Sequence, residues 1–283
     1  MAIIIDGKAT AKAVREKIKN DVEAFSKETG KIPGLAVVIV GDNPASQVYV
    51  RNKHRACGEV GIYSEVHELP DNTSQEELLA LVDKLNADDN INGILVQLPL
   101  PKHLNEEEVL LRISPKKDVD AFHPENVGKI MIGNFSFLPC TPAGVMELLK
   151  YYNISPLGKH CVIIGRSNIV GKPQAMLMLK ENATVTICHS RTKNLTDITS
   201  QADIVVAAVG KPNFVTADMV KDGAVVVDVG INRLEDGKLC GDVDFSRVEP
   251  KASYITPVPG GVGPMTITML LKNTLTAAKE QLK

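Results

Sequence analysis

The sequence predicts an α/β fold: two doubly wound α/β domains, the second Rossmann-like. Three observations predict it. Short, apolar, β-branched runs alternate with amphipathic helical patterns along the chain, as strand–helix–strand units on a parallel sheet do. Several runs are apolar at every position, which suits strands covered on both faces. At 283 residues there is room for two domains of roughly 150 residues each, although one large α/β barrel has the same size.

The elements follow in order. Residues 2–5 read as a strand. Ala11, Val14, Ile18, Val22 and Phe25 then step by three and four, one face of a helix. Residues 35–40 are a second strand and 64–68 a third. Ser74-Gln75-Glu76-Glu77 is a capping box, and Leu78, Leu81, Val82 and Leu85 share the face of the helix it starts. Residues 93–97 are the next strand. Pro139-Cys140-Thr141-Pro142 stops one domain and starts another. A helix over 143–152 and the breaker Ser155-Pro156-Leu157-Gly158 follow. Strands at 161–165, 184–188, 204–209 and 224–229 then alternate with helices. A last helix, 265–282, is apolar at Met269, Leu270, Leu275 and Ala278 and has no strand after it. It is expected to pack back on the first domain. The boundaries expected are therefore 1–140, completed by 265–283, and 141–264.

Composition narrows the function classes. Hydrophobic residues at 44% and charged residues at 23% are ordinary for a globular protein and exclude a mainly disordered chain. Lys+Arg 32 against Asp+Glu 34 gives a net charge of -2, without the basic excess of a nucleic-acid binder. Trp is absent and aromatics are 4%, which disfavours base-stacking platforms. Cys57, Cys140, Cys161, Cys188 and Cys240 show no Cys-x-x-Cys spacing. They read as small buried apolar residues in a reducing compartment. The six His are dispersed, so no metal is expected. No apolar run nears the ~18 residues of a membrane span, and residues 1–17 lack a signal-peptide core. A cytoplasmic protein is expected, with no membrane or nucleic-acid partner.

Two regions carry candidate chemistry. The turn Gly165-Arg166-Ser167-Asn168-Ile169-Val170-Gly171 joins a strand to a helix. There a Rossmann unit holds a pyrophosphate on the helix N-terminus. The spacing is Gly-x-Ser-x-x-x-Gly, so a plain tight turn explains the glycines nearly as well. The next strand ends in His189-Ser190-Arg191-Thr192, without the acid that grips the ribose 2′-hydroxyl of NAD. Ser190, Arg191 and Arg166 suit a 2′-phosphate instead, which favours NADP; a solvated loop would also explain Arg191. Gly210 and Ile231 follow two further strands, at the sheet edge that faces a cofactor.

In the first domain Ser46, Tyr49 and Lys53 share one helical face by spacing. Lys53 is a proton carrier if burial lowers its pKa. An exposed Lys beside a half-buried Tyr fits the spacing too. Gln97 ends an apolar strand and, if buried, needs a partner such as an ammonium group. Otherwise it turns out to solvent. Asp120, in Lys117-Asp118-Val119-Asp120-Ala121-Phe122, could take paired N–H donors of a heterocycle, or simply form a turn. Pro259, Gly260 and Gly261 open a Gly-rich segment that lets backbone approach a flat ligand, or serves as a tight link.

These motifs together resemble the bifunctional methylenetetrahydrofolate dehydrogenase/methenyltetrahydrofolate cyclohydrolase family over essentially the whole chain. The carrying stretches are Ser46-Gln-Val-Tyr49-Val-Arg-Asn-Lys53, Gly93-Ile-Leu-Val-Gln97-Leu-Pro-Leu-Pro101, Lys117-Asp-Val-Asp120, Pro139-Cys-Thr-Pro142, Gly165-Arg-Ser-Asn-Ile-Val-Gly-Lys-Pro173 and Pro259-Gly-Gly-Val-Gly-Pro-Met-Thr266. One departure is Ala121, where the family's pattern usually has glycine. The resemblance implies two doubly wound α/β domains flanking a cleft, the second a Rossmann-like NADP-binding domain. It also implies NADP-dependent oxidation of 5,10-methylenetetrahydrofolate, then hydrolysis of the methenyl product to 10-formyltetrahydrofolate, in one-carbon metabolism and purine biosynthesis. It implies catalytic roles for Lys53, Gln97, Tyr49 and Asp120. Folate would contact Tyr49, Asp120, Pro259, Gly260 and Gly261. NADP would contact Gly165, Arg166, Ser167, Ser190, Arg191, Gly210 and Ile231. A homodimer is expected, with the Asp236-Gly237 hairpin as a candidate arm. An oxidoreductase without the hydrolytic step and a non-catalytic binding protein are the competing readings.

Overall fold

Strand pairing sorts the chain into two compact units. The computed structural model describes residues 1–282. Met1–Lys12 with Thr141–Thr266 form one unit, and Ala13–Cys140 with the segment from Ile267 onward form the other. The three divisions all fall inside helices: the first of the chain, the last, and, after its first residue, the one that begins at Cys140.

The chain opens with β1 (Ile3–Ile4) and α1 (Gly7–Thr29), in which Val14, Ile18, Val22 and Phe25 are buried as their spacing predicts. Then come β2 (Gly34–Val40), α2 (Pro44–Val60), β3 (Tyr63–Leu69), α3 (Gln75–Ala87), β4 (Gly93–Val96), α4 (Glu106–Arg112) and α5 (Pro124–Met131). β2 is buried at all seven positions and lies between β3 and β4 in a three-stranded parallel sheet. Ala36, Val38 and Val40 of β2 pack with Leu78, Val82 and Leu85 of α3. The capping box is present: Ser74 Oγ accepts from Glu77 N, and Glu77 Oε2 accepts from Ser74 N.

The other unit contains α6 (Cys140–Tyr151) from Thr141 onward, β5 (His160–Ile164), α7 (Gly171–Lys180), β6 (Thr184–Cys188), α8 (Leu195–Thr199), β7 (Ile204–Ala207), β8 (Val225–Asp228), β9 (Asn232–Arg233), β10 (Leu239–Cys240), α9 (Phe245–Val248), β11 (Tyr254–Ile255) and the start of α10 (Val262–Glu280). Its six-stranded sheet runs β1-β11-β8-β7-β5-β6, every pairing parallel. β9 and β10 make the hairpin expected around Asp236-Gly237.

One expectation is corrected. The sequence reading begins the first domain at residue 1, but Ile3 and Ile4 pair with Tyr254 and Ile255. Residues 1–12 therefore belong to the six-stranded unit. The reason is backbone closure: β11 would otherwise be an open edge, and β1 covers it.

Candidate active site

In the small-sheet unit the chain leaves β2 for β3 on one side and returns to β4 on the other. The carboxyl ends of β2 and β4 thus flank a topological switch point, where open α/β sheets bind ligands. α2 follows β2 directly and carries Ser46, Tyr49 and Lys53. Lys53 is only 8% exposed, whereas Tyr49 is 39% exposed. The alternative of an exposed Lys beside a half-buried Tyr is therefore reversed.

Lys53 Nζ donates to Gln97 Oε1 at 2.9 Å. Gln97 Nε2 donates to Leu98 O at 2.7 Å, which turns Oε1 toward the lysine. The Gln97 backbone N–H donates to Val38 O, so the residue continues the β4–β2 ladder one step beyond the strand. Burial pulls the Lys53 ammonium below its ordinary pKa, with the nearby Asp120 carboxylate acting in the opposite sense. The result is an amine whose neutral form is more accessible than that of a surface lysine.

The loop bearing Asp120 is fixed from both sides. Lys117 Nζ donates to Leu85 O and Asp88 O, satisfying carbonyls at the C-terminus of α3. Asp118 is buried and accepts from His123 N and Asn126 Nδ2, each at 2.8 Å. Burial pushes its carboxyl pKa up against those donors. Asp118 is thus the structural acid of the pair, and Asp120 stays half-buried beside Lys53. The buried Cys140 thiol donates to Val119 O at 3.5 Å and lies within the electrostatic reach of Asp120. Burial lifts this thiol well above its ordinary pKa, so it remains a protonated donor. Asn273 of α10 donates to both Val119 O and Leu138 O at 2.8 Å, tying the Asp120 loop to the segment that ends in Cys140.

The three roles of Cys140, Asn273 and Asp118 escape sequence reading. Cys140 stood in a recognised Pro-Cys-Thr-Pro segment but read as a small apolar residue. Asn273 carried one weak signal, an amide close to the apolar positions Met269, Leu270 and Leu275 of the last helix.

Ala121 is fully buried with φ +58°. That is the left-handed region, which costs a residue with a Cβ roughly 1–2 kcal/mol. It accounts for the glycine in the family's pattern. Ala121→Gly should therefore raise stability by about 0.5–1 kcal/mol, the relief being partly offset by greater unfolded-chain entropy. A lower denaturant midpoint for the variant would contradict this.

In the six-stranded unit the chain passes from β5 to β6 on one side and back to β7 on the other. A Cβ on Gly165 would collide with Ala208 O, and one on Gly171 with Gly165 O. Only glycine permits this close turn into α7. Ser167 Oγ accepts from Val170 N at 3.2 Å and Gly171 N at 3.3 Å. It satisfies two amides at the entrance to the helix. Gly165 N donates to Cys188 O, which sets the β5 and β6 turns side by side. His189 N donates to Thr192 Oγ1 and Thr192 N to His189 O. Arg166, Ser190 and Arg191 are exposed on these turns, and no carboxylate ends β6. The glycine cradle, the helix N-terminus and the basic turn fit a dinucleotide with a 2′-phosphate. Gly210 and Ile231 follow β7 and β8 at the same sheet edge.

Pro259, Gly260 and Gly261 lie in this unit as well. Gly7, at the start of α1, is packed so closely on Gly261 that a Cβ there would collide with its carbonyl. The amino-terminal segment thus braces this loop, a contact that spacing alone does not reveal. A cavity of about 1060 Å³ opens elsewhere, at the amino ends of β2, β3 and β4, where Ile32, Tyr63 and Asn92 line it. It contains none of the predicted site residues. Among the described residues no group of three or more His, Cys, Asp or Glu side chains is placed to hold a metal ion. Nor is any described helix long and apolar enough to cross a membrane.

Comparison with known proteins agrees with both halves. Residues 5–120 match the family described as tetrahydrofolate dehydrogenase/cyclohydrolase, catalytic domain. Residues 139–282 match its NAD(P)-binding domain. The protein named Bifunctional protein FolD of Halalkalibacterium halodurans is 62% identical over 279 residues, 99% of each chain. The solved structure of the bifunctional methylenetetrahydrofolate dehydrogenase/cyclohydrolase from Campylobacter jejuni is 55% identical, with TM-score 0.96 over 99% of this chain and 100% of that one. The Trypanosoma brucei enzyme, solved in complex with NADP cofactor and inhibitor, is 42% identical, with TM-score 0.96 over 100% of this chain and 99% of that one.

Proposed function

The chain belongs to the tetrahydrofolate dehydrogenase/cyclohydrolase family, and from that premise we propose that it performs both reactions of the family. It oxidises 5,10-methylenetetrahydrofolate to the 5,10-methenyl cation with NADP, then hydrolyses that cation to 10-formyltetrahydrofolate. The observation that carries this reading is the buried Lys53 amine held by Gln97 beside Asp120.

NADP, when bound, supplies the acceptor for the hydride that leaves the folate methylene carbon. Everything else falls to the protein's own side chains and backbone. Tyr49 presents its exposed ring to the folate, and Asp120 accepts N–H donors of the pterin. Pro259, Gly260 and Gly261 supply backbone against the flat substrate. In the hydrolytic step neutral Lys53 accepts a proton from water as the oxygen adds to the methenyl carbon. The proton of the resulting hydroxyl then moves to N5 as the carbon–N5 bond breaks and the carbon–oxygen double bond forms. The formyl group stays on N10, and the proton held by Lys53 passes to solvent. Gln97 holds the amine in place throughout.

Gly165, Arg166, Ser167, Ser190, Arg191, Gly210 and Ile231 are proposed to bind NADP, with the arginines and Ser190 at the 2′-phosphate. A cytoplasmic homodimer completes the reading, the dimer resting on the prevalence of two-fold symmetric assemblies. The test is direct. Purified protein should reduce NADP in the presence of methylenetetrahydrofolate, and without NADP should hydrolyse the methenyl compound. Failure of either reaction removes that half of the proposal.

Asp120→Ala should mainly weaken folate binding. Charge-assisted hydrogen bonds contribute ~1.5–3 kcal/mol each, so the loss is roughly tenfold or more in Kd. Calorimetry with a non-reactive folate analogue measures it. An unchanged Kd would leave Asp120 as a turn-forming residue.

A further inference from the structure

Two buried carboxylates lie together in the six-stranded unit, and the mechanism above uses neither. Asp228 ends β8 and is 3% exposed; Asp242 follows β10 and is fully buried. Asp242 accepts four N–H donors. Val209 N (2.6 Å) and Gly210 N (2.9 Å) reach Oδ2, and Lys211 N (3.0 Å) and Asn232 Nδ2 (2.9 Å) reach Oδ1. Asp228 accepts from Gly230 N, Asp242 N and Val243 N, all at 2.9 Å. A Cβ on Gly230 would collide with Asp242, and one on Gly241 with Asp228. The glycines make room for the carboxylates.

This arrangement is costly as a mere packing device. Buried carboxylates lose hydration that N–H donors only partly replace. Burial pushes Asp228 up to about 6, despite its three donors. The placement shows what the pair secures. Three successive backbone amides, 209 to 211, converge on one anion, which makes the turn after β7 a nest whose ion is an internal side chain. That turn borders the switch point between β5 and β7, where the Ala208 carbonyl faces Gly165. Through Gly230 and Asn232 the same pair grips both sides of Ile231, which is 46% exposed. The two turns at the carboxyl ends of β7 and β8 are therefore set by one carboxylate cluster.

We propose that Asp242 is a positioning residue for the nicotinamide dinucleotide: it shapes the Val209–Gly210–Lys211 turn and the Ile231 turn that wall the cofactor crevice, without touching the cofactor. The inference rests on the NADP-dependent reading above. In Asp242→Asn an amide nitrogen must face donors that a carboxylate oxygen now accepts. The turn then loses contacts and reorients.

The test compares two reactions of one protein, because methenyltetrahydrofolate hydrolysis needs no NADP. Asp242→Asn should raise the KM and Kd for NADP roughly ten- to hundredfold. Its kcat at saturating NADP and its hydrolytic rate should stay near wild type. Adding Asn232→Asp returns an acceptor opposite the new amide and should recover part of the NADP affinity. Unchanged NADP binding in Asp242→Asn would overturn the proposal. So would a parallel fall of both activities with Tm, the mark of a purely structural role. If Asp242→Asn does not fold, Asn232→Ala decides: it should raise KM for NADP severalfold, and an unchanged KM overturns the proposal. Wild-type protein that fails to bind NADP would refute the functional reading itself, a separate and distinguishable result.

Discussion

Lys53→Met should abolish hydrolysis of methenyltetrahydrofolate, by roughly a hundredfold to ten-thousandfold, the range that a positioned acid–base group contributes. NADP affinity should not change, because the cofactor-binding candidates belong to the other unit. Stability should hold or rise, since an apolar chain replaces a buried amine that pays for desolvation when charged. The sign of the pH dependence follows from the lowered pKa. Hydrolysis by wild-type protein should rise with pH as the Lys53 ammonium loses its proton, and level off above its folded-state pKa, which lies below the ordinary ~10.4. The variant's profile should lack that limb. Hydrolysis at the wild-type rate in Lys53→Met would show that another group takes the proton.

The second large effect is the choice of cofactor. NADP should be preferred over NAD by tenfold to several hundredfold in kcat/KM. One or two charge-assisted contacts to the 2′-phosphate, at ~1.5–3 kcal/mol each, produce that range. NAD would also lack the acidic acceptor that its ribose usually meets, because β6 is followed by His189-Ser190-Arg191. Arg166→Ala should erode the preference and leave the NAD reaction nearly unchanged. Equal kcat/KM with the two cofactors would make Arg166 and Arg191 ordinary surface residues.

The fold was largely legible where local pattern decides it. The helical face of α1 is buried at Val14, Ile18, Val22 and Phe25 as the spacing requires. The continuous apolar runs Gly34–Val40 and Gly93–Val96 are strands buried throughout. Pairing over long separations was not legible. β1 has only two residues, both side chains exposed, and nothing in Ile3-Ile4 states that its partner lies some 250 residues away. The contact of Gly7 with Gly261 is hidden for the same reason.

At the site, residue type and spacing pointed to Lys53, Gln97 and Asp120, but they could not tell a buried lysine from a solvated one. That difference is set by the surrounding packing, which only the fold supplies. Asp242 was invisible for a related reason. Gly241-Asp242-Val243-Asp244 reads as turn chemistry, and its four donors come from two segments 10 to 33 positions away.

The central claim, that one chain carries both steps, is tested most directly by a single time course. Methylenetetrahydrofolate and NADP are mixed with the purified protein, and NADPH, methenyltetrahydrofolate and 10-formyltetrahydrofolate are followed together. The account predicts NADPH and 10-formyltetrahydrofolate rising in step with little free methenyl compound, and the methenyl compound accumulating in place of the formyl product with Lys53→Met wherever oxidation persists. Methenyltetrahydrofolate accumulating one-for-one with NADPH in the wild-type protein, with hydrolysis no faster than in buffer, would contradict it.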